Sequence, residues 1–111
     1  MKDLTRTLRL ISIAARPVGG HYVGMATKRP ITLEQRLLWD VRDLTRLARA
    51  AGPRAEYWVA PVLDYLEMAL DIPHMGPTNR AQGAPAVFGN VSAAALDAAA
   101  AIDAGDAIPA D

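Results

Sequence analysis

The fold is decided by residues 32–71, which read TLEQRLLWDVRDLTRLARAAGPRAEYWVAPVLDYLEMALD. In the first half of this stretch, apolar residues recur at the spacing of one helical face: Leu33, Leu37, Val41, Leu44, Leu47, Ala48 and Ala51. Thr32 is a good N-cap, and Gln35 stands three residues later, as in a capping box. Gly52 can end the helix with a positive φ. We therefore predict a helix over residues 32–51.

The second half of the stretch carries one apolar face through a proline. Pro53 suits the first turn of a helix, and the apolar face that follows consists of Ala55, Trp58, Val59, Val62, Leu63, Leu66, Ala69 and Leu70. Pro61 falls outside this face, where a kink that opens toward solvent is tolerated. We predict a helix over residues 54–71 and an antiparallel αα-hairpin with residues 32–51. The predicted fold class is mainly α, a small helical domain built on this hairpin.

The residues before the hairpin allow two interpretations. Asp3 can cap a short helix over residues 3–16, which Pro17 would end. The alternative is a β-hairpin over residues 9–27, because Gly19-Gly20 is a two-residue turn signal between arms that contain β-branched residues. We favour the helix and expect a connection over residues 17–31.

The last part of the chain is rich in alanine. We predict irregular structure over residues 72–90 and a helix over residues 92–103 that ends at Gly105. Leu96 and Ile102 are the only large apolar anchors of that helix, so it docks weakly, folds only in an oligomer, or stays disordered.

Length and composition set the domain organisation and the setting. The 111 residues suit one domain, which we expect over residues 1–76, followed by a linker and an alanine-rich helix or flexible tail over residues 77–111. The chain has no cysteine, which rules out disulfides and thiolate chemistry and favours the cytoplasm. Arg6 and Arg9 interrupt the apolar residues near the start, so we expect no signal peptide. No run approaches 18 apolar residues, so we expect no membrane span.

No arrangement of residues in the sequence indicates catalysis. The histidines, His21 and His74, stand far apart, whereas zinc sites need three or four convergent ligands. The serines, Ser12 and Ser92, lack the Gly-x-Ser-x-Gly turn of a nucleophile. We predict a protein that is not an enzyme and binds neither a metal nor another cofactor.

The charge is divided unevenly along the chain. Residues 1–54 contain eleven Lys and Arg against four Asp and Glu, whereas residues 55–111 contain only Arg80 against eight acids. Such asymmetry is typical of a surface for an acidic partner or a nucleic acid. It arises equally when two oppositely charged halves pack together, which is the interpretation that we favour for a chain of this size.

The most distinctive surface feature is an arginine-rich side of the helix over residues 32–51. Arg and Trp are the residues that most often dominate protein–protein binding energies. The residues predicted to contact a partner are Trp39, Arg42, Arg46, Arg49, Trp58 and Tyr65. We predict a regulatory or inhibitory protein that acts by binding another protein, as a homodimer because the core of one chain is small.

The alternative function is binding of a nucleic acid by the basic first half. Its candidate residues are Arg6, Arg9, Arg16, Lys28 and Arg29, which would contact phosphates. A helix-turn-helix does not fit, because the second helix of the predicted hairpin is acidic. The small size and the arginine- and alanine-rich composition are typical of accessory proteins of bacteria and their phages.

Overall fold

The structure is a computed structural model that describes residues 2–26 and 30–110. These residues form helices and no strand, so the prediction of a mainly α fold is confirmed. The elements in chain order are α1 (Lys2–Ala14), α2 (His21–Ala26), α3 (Pro30–Ala51), α4 (Pro53–Ala69), a short 3₁₀ turn (Ile72–His74) and α5 (Pro77–Asp103).

Helices α3 and α4 pack against each other, with Gly52 between them. Gly52 has a φ of 111°, a conformation that favours glycine. Leu44 on α3 and Leu66 on α4 are fully buried in one core cluster. This arrangement is compatible with the predicted αα-hairpin. The predicted start of α3 is wrong by two residues, because the helix begins at Pro30 and Thr32 lies inside it rather than at its cap.

The N-terminal residues are helical, so the β-hairpin over residues 9–27 is wrong wherever the structure describes that range. Leu4, Leu8 and Ile11 are buried at helical spacing along α1. After the turn at Gly19 the chain enters α2 instead of a return strand. The predicted connection over residues 17–31 is therefore wrong at residues 21–26, where packing against α3 and α5 stabilises a helix too short to be stable alone.

Helix α5 is much longer than the sequence predicted. Residues 77–90 are helical, so the prediction of irregular structure there is wrong. The intrinsic helix propensity of this segment is lowered by Gly83, Pro85 and Gly89. Packing against α1 and α4 outweighs the cost of that low propensity. Seven of the eight buried side chains of α5 continue one stripe through the helix: Ala84, Phe88, Val91, Ala95, Ala98, Ala99 and Ile102. They belong to the same core cluster as α1, α3 and α4.

The end of α5 is fixed by Gly105, as the sequence predicted. Gly105 has a φ of 72°, and its N–H donates to the carbonyl of Ile102 at 3.1 Å. The N–H of Asp106 donates to the carbonyl of Ala101 at 3.0 Å. These two bonds form a Schellman motif, which turns the chain back after the helix.

Among the described helices, α5 is the one that is long and apolar enough to cross a membrane by length and composition. This criterion is weak here, because a helix in the core of a protein also meets it. The apolar stripe of α5 packs against α1 and α4.

Candidate partner-binding surfaces

Four of the predicted contact residues share one exposed side of α3. We call Trp39, Arg42, Arg46 and Arg49 the basic face. On the other side of the same helix, Leu37 and Leu44 are fully buried, so the core orients α3 and thereby directs the basic face outward. Trp39 is 65% exposed, which is unusual for the largest apolar side chain.

The basic face contains two shallow depressions. The first is lined by Trp39, Arg42, Asp43 and Arg46 and has a volume of about 250 Å³. The second has a volume of about 430 Å³ and is lined by Val41, Arg42, Thr45, Arg46 and Arg49. Both depressions include Arg42 and Arg46, so the four residues of the basic face form one continuous surface.

The positive charge of the basic face is only partly neutralised. Arg46 Nη2 lies 2.6 Å from Asp43 Oδ1, which is the ion pair that their i,i+3 spacing predicts. Arg42 and Arg49 form no ion pair with any described residue. Within residues 2–26 and 30–110, one Arg–carboxylate pair joins the basic half of the chain to the acidic half, namely Arg9 with Asp103.

Trp58 and Tyr65 do not join the basic face. They line a separate groove between α4 and α5, with a volume of about 340 Å³, which we call the α4–α5 groove. Pro61 completes its α4 side, and Asn90, Asp97 and three alanines form its α5 side. The six predicted contact residues therefore divide between two surfaces. The groove could not be predicted from the sequence, because it depends on how α5 packs against α4.

The residues of the nucleic-acid alternative are less concentrated. Arg6 and Arg16 are exposed at the N-terminal helix and the turn after it, and Arg9 is paired with Asp103. Lys28 and Arg29 lie outside the described residues.

A buried polar cluster that the sequence pattern did not predict joins α2 to α3. Tyr22 donates its hydroxyl to the Asp40 carboxylate, and Arg36 Nε lies 3.3 Å from Asp40 Oδ2. Burial raises the pKa of both Tyr22 and Asp40, because it penalises their charged forms. The signal was available, since Asp40 stands three residues after Leu37 and four before Leu44, on the inward side of α3.

The two histidines lie in different elements, α2 and the 3₁₀ turn. His21 is exposed at the start of α2, and His74 Nε2 lies 3.2 Å from Glu34 Oε1. In the described part of the chain, no three His, Cys, Asp or Glu side chains come together in a way that could hold a metal ion.

The fold and these surfaces define a small all-α protein with an exposed arginine–tryptophan face and a separate aromatic groove. No family model, no curated protein and no solved structure matches the chain. A functional proposal therefore depends on the chemistry of the two surfaces.

Proposed function

We propose that this protein is a small, non-enzymatic regulator or inhibitor that binds an acidic surface of another protein through its basic face. The observation that carries the proposal is the exposure of Trp39 beside Arg42 and Arg46, around one depression. An exposed tryptophan beside Arg42, which has no carboxylate partner among the described residues, leaves apolar area and charge available for a partner.

The chemistry of the basic face favours an acidic protein surface. The guanidinium group presents a planar fork of donors that matches a carboxylate in two parallel hydrogen bonds. Trp39 supplies a rigid apolar anchor, and Arg42 and Arg46 beside it would help to exclude water from the contact. Because Arg42 and Arg49 make no ion pair with the described residues, binding would not first have to break one there.

We also propose a cytoplasmic homodimer. The absence of cysteine supports a reducing compartment. Leu10 and Ile13, which are 55% and 51% exposed, stand one helical turn apart on α1 and offer apolar area for a second copy. Sedimentation equilibrium should give a dimer for the wild type and a monomer for L10E/I13E. A wild-type monomer at high concentration would contradict the dimer and leave the basic-face proposal intact.

Nucleic-acid binding is the competing proposal, and it has less support. Arg6 and Arg16 are exposed, but Arg9 is already paired with Asp103. Binding to DNA or RNA would weaken steeply with added salt, because each neutralised phosphate releases counterions.

The test compares two variants that lose the same charge from different surfaces. R42Q/R46Q/R49Q removes the cations of the basic face, and K2Q/R6Q/R16Q removes three exposed cations elsewhere. Each protein is immobilised and exposed to extract of the source cells, and bound proteins are identified by mass spectrometry. We expect a partner that the wild type and K2Q/R6Q/R16Q retain and R42Q/R46Q/R49Q loses.

Affinity measurements with the purified partner then test whether the arginines and Trp39 of the basic face contribute to binding. We expect R42Q/R46Q/R49Q and W39A each to weaken binding by about tenfold or more, which corresponds to roughly 1.4 kcal/mol. Equal loss in both charge variants would indicate a general electrostatic attraction and would contradict a specific role for the basic face. Retention of duplex or single-stranded DNA with a steep salt dependence would favour the competing proposal.

A further inference from the structure

The α4–α5 groove combines two aromatic side chains with a carboxylate. Trp58 and Tyr65 lie seven residues apart on α4, and Asp97 faces them from α5. Alanines form the rest of the α5 side, and their small size leaves the space open. The volume of about 340 Å³ is in the lower range of pockets that hold small ligands, roughly 300–1,000 Å³.

The polar groups of the groove have no partners in the described part of the chain. The Asp97 carboxylate, the Tyr65 hydroxyl and the Asn90 amide make no hydrogen bond or ion pair with any described residue. A carboxylate on a surface is ordinarily solvated and marks no site by itself. Here, three unengaged polar groups line the same groove as two aromatic rings, which is the pattern of a ligand site.

Trp58 is held in position by contacts outside the groove. Its Nε1–H donates to the carbonyl of Asp106 at 3.0 Å, and its ring packs edge-on against Tyr57 with centroids 5.0 Å apart. The carbonyl of Asp106 also accepts a bond from Arg54 Nη1 at 3.1 Å. The turn at Gly105 brings this carbonyl to α4. A ring fixed before binding reduces the entropy lost when a ligand is ordered against it.

We propose that the α4–α5 groove binds an organic cation, a guanidinium group or an alkylammonium group. The faces of Trp and Tyr rings attract cations, and a carboxylate beside them forms short charge-assisted hydrogen bonds with N–H donors. The acidic half of the chain, with Arg80 against eight acids, favours a cation over an anion. The groove and the basic face consist of different residues, so this proposal does not depend on the proposed function.

The experiment uses the full chain with Trp58 as its single tryptophan. W39F removes the other tryptophan, which is exposed and lies outside the groove. The emission of Trp58 is followed during titration with butylguanidinium and, as a neutral molecule of nearly the same shape, butylurea. A second pair of ligands, an acetylated Gly-Arg-Gly amide and the same peptide with citrulline for arginine, tests whether the cation can come from a polypeptide.

Saturable binding of butylguanidinium or of the arginine peptide is expected, with affinity at least about tenfold weaker for the matched neutral ligand. Binding by butylguanidinium alone identifies a small-molecule site, and tighter binding by the peptide identifies a site for a side chain of a polypeptide. W39F/D97N should lose about tenfold in affinity, whereas W39F/E67Q should not change, because Glu67 is an exposed acid that does not line the groove.

Three results would overturn the proposal. They are the absence of saturable binding by any cation, equal affinity for charged and neutral ligands, and unchanged affinity in W39F/D97N. Asp97 is exposed, so its substitution should leave the fold intact, and circular dichroism checks this directly. Nuclear magnetic resonance shifts of the Trp58 indole N–H give an independent readout, because a ligand elsewhere on the chain would not move that signal.

Discussion

The hydroxyl of Tyr22 donates a hydrogen bond to the Asp40 carboxylate inside the core and so fastens α2 to α3. Tyr22 is fully buried, and Asp40 is 3% exposed. Arg36, one turn before Asp40 on α3, provides the only cation paired with this carboxylate among the described residues. A buried carboxylate needs such partners, because an unpaired charge in the core is strongly destabilising.

The stability of the protein should respond to the ionisation of Asp40. Burial raises the pKa of this carboxyl in the folded chain above its ordinary value of 3.8, so the proton binds the folded state more tightly than the unfolded one. The resulting stabilisation is complete below the ordinary value and is lost as the pH rises through the raised pKa. We expect the free energy of unfolding of the wild type, minus that of D40N, to be larger in acid than at neutral pH.

Urea denaturation of both proteins over a pH series measures this difference, and other carboxylates cancel in the subtraction. A difference that stays constant, or that grows as the pH rises, would contradict the assignment of the raised pKa to Asp40.

Removing the tyrosine hydroxyl should also destabilise the protein. Y22F leaves the Asp40 carboxylate buried with Arg36 as its remaining partner, and we expect a loss of about 1–3 kcal/mol in the free energy of unfolding. The loss of stability caused by Y22F should be smaller in a D40N background, because a buried neutral amide oxygen without this donor is less destabilising than a buried carboxylate without it. Y57F is the matched control, since Tyr57 is 44% exposed and its hydroxyl bonds to no described residue. A similar loss in Y57F would count against the pairing.

Helices α3 and α4 could be predicted because each carries its own apolar stripe at helical spacing. Leu44 and Leu66 lie on those stripes, and both are fully buried. The first half of α5 could not be predicted in the same way, because Gly83 and Pro85 oppose a helix locally. What stabilises that segment is long-range packing, including the contact of Phe88 with Tyr22, whose ring centroids are 5.5 Å apart.

The candidate surfaces were predicted to different extents for the same reason. The basic face depends on the spacing within one helix, so Trp39 and Arg42 could be placed together from the sequence. The position of Trp58 opposite Asp97 depends on how α5 packs against α4. Asp40 is an intermediate case, because its inward position follows from helical spacing but its partner Tyr22 comes from another helix.

Phe88 should contribute more to stability than any other side chain of α5. It is fully buried against Tyr22, so F88A removes a large apolar side chain and leaves a cavity. We expect a loss of about 3–5 kcal/mol, measured by urea denaturation, with the smaller change F88L available if the alanine variant does not fold. L96A is the matched control on the same helix, since Leu96 is 53% exposed, and should change stability by about 0.5 kcal/mol or less. Equal effects would mean that α5 does not pack as described.

Two reciprocal hydrogen bonds between serines should couple α1 to α5. Ser12 Oγ donates to the carbonyl of Ser92 at 3.0 Å, and Ser92 Oγ donates to the carbonyl of Ser12 at 2.9 Å. S12A and S92A should each lower the free energy of unfolding by about 1 kcal/mol. Each bond holds the two helices in the register in which the other bond can form. The double variant should therefore lose less free energy of unfolding than the sum of the losses in the two single variants. Strict additivity in this double-mutant cycle would show that the bonds act independently.

Substitution of alanine for glycine should change the stability of the protein in opposite directions at Gly20 and Gly24. A Cβ on Gly20 would lie 2.2 Å from the carbonyl oxygen of Arg16 and 2.8 Å from that of Ala14, and since these are backbone atoms the turn into α2 would have to move. We expect G20A to destabilise the protein by about 1–3 kcal/mol. A Cβ on Gly24 meets no atom within 4 Å, so G24A should stabilise α2 by about 0.5–1 kcal/mol through helix propensity. Thermal and urea denaturation of both variants give the sign directly, and a stabilising G20A would contradict the close approach of the chain at this turn.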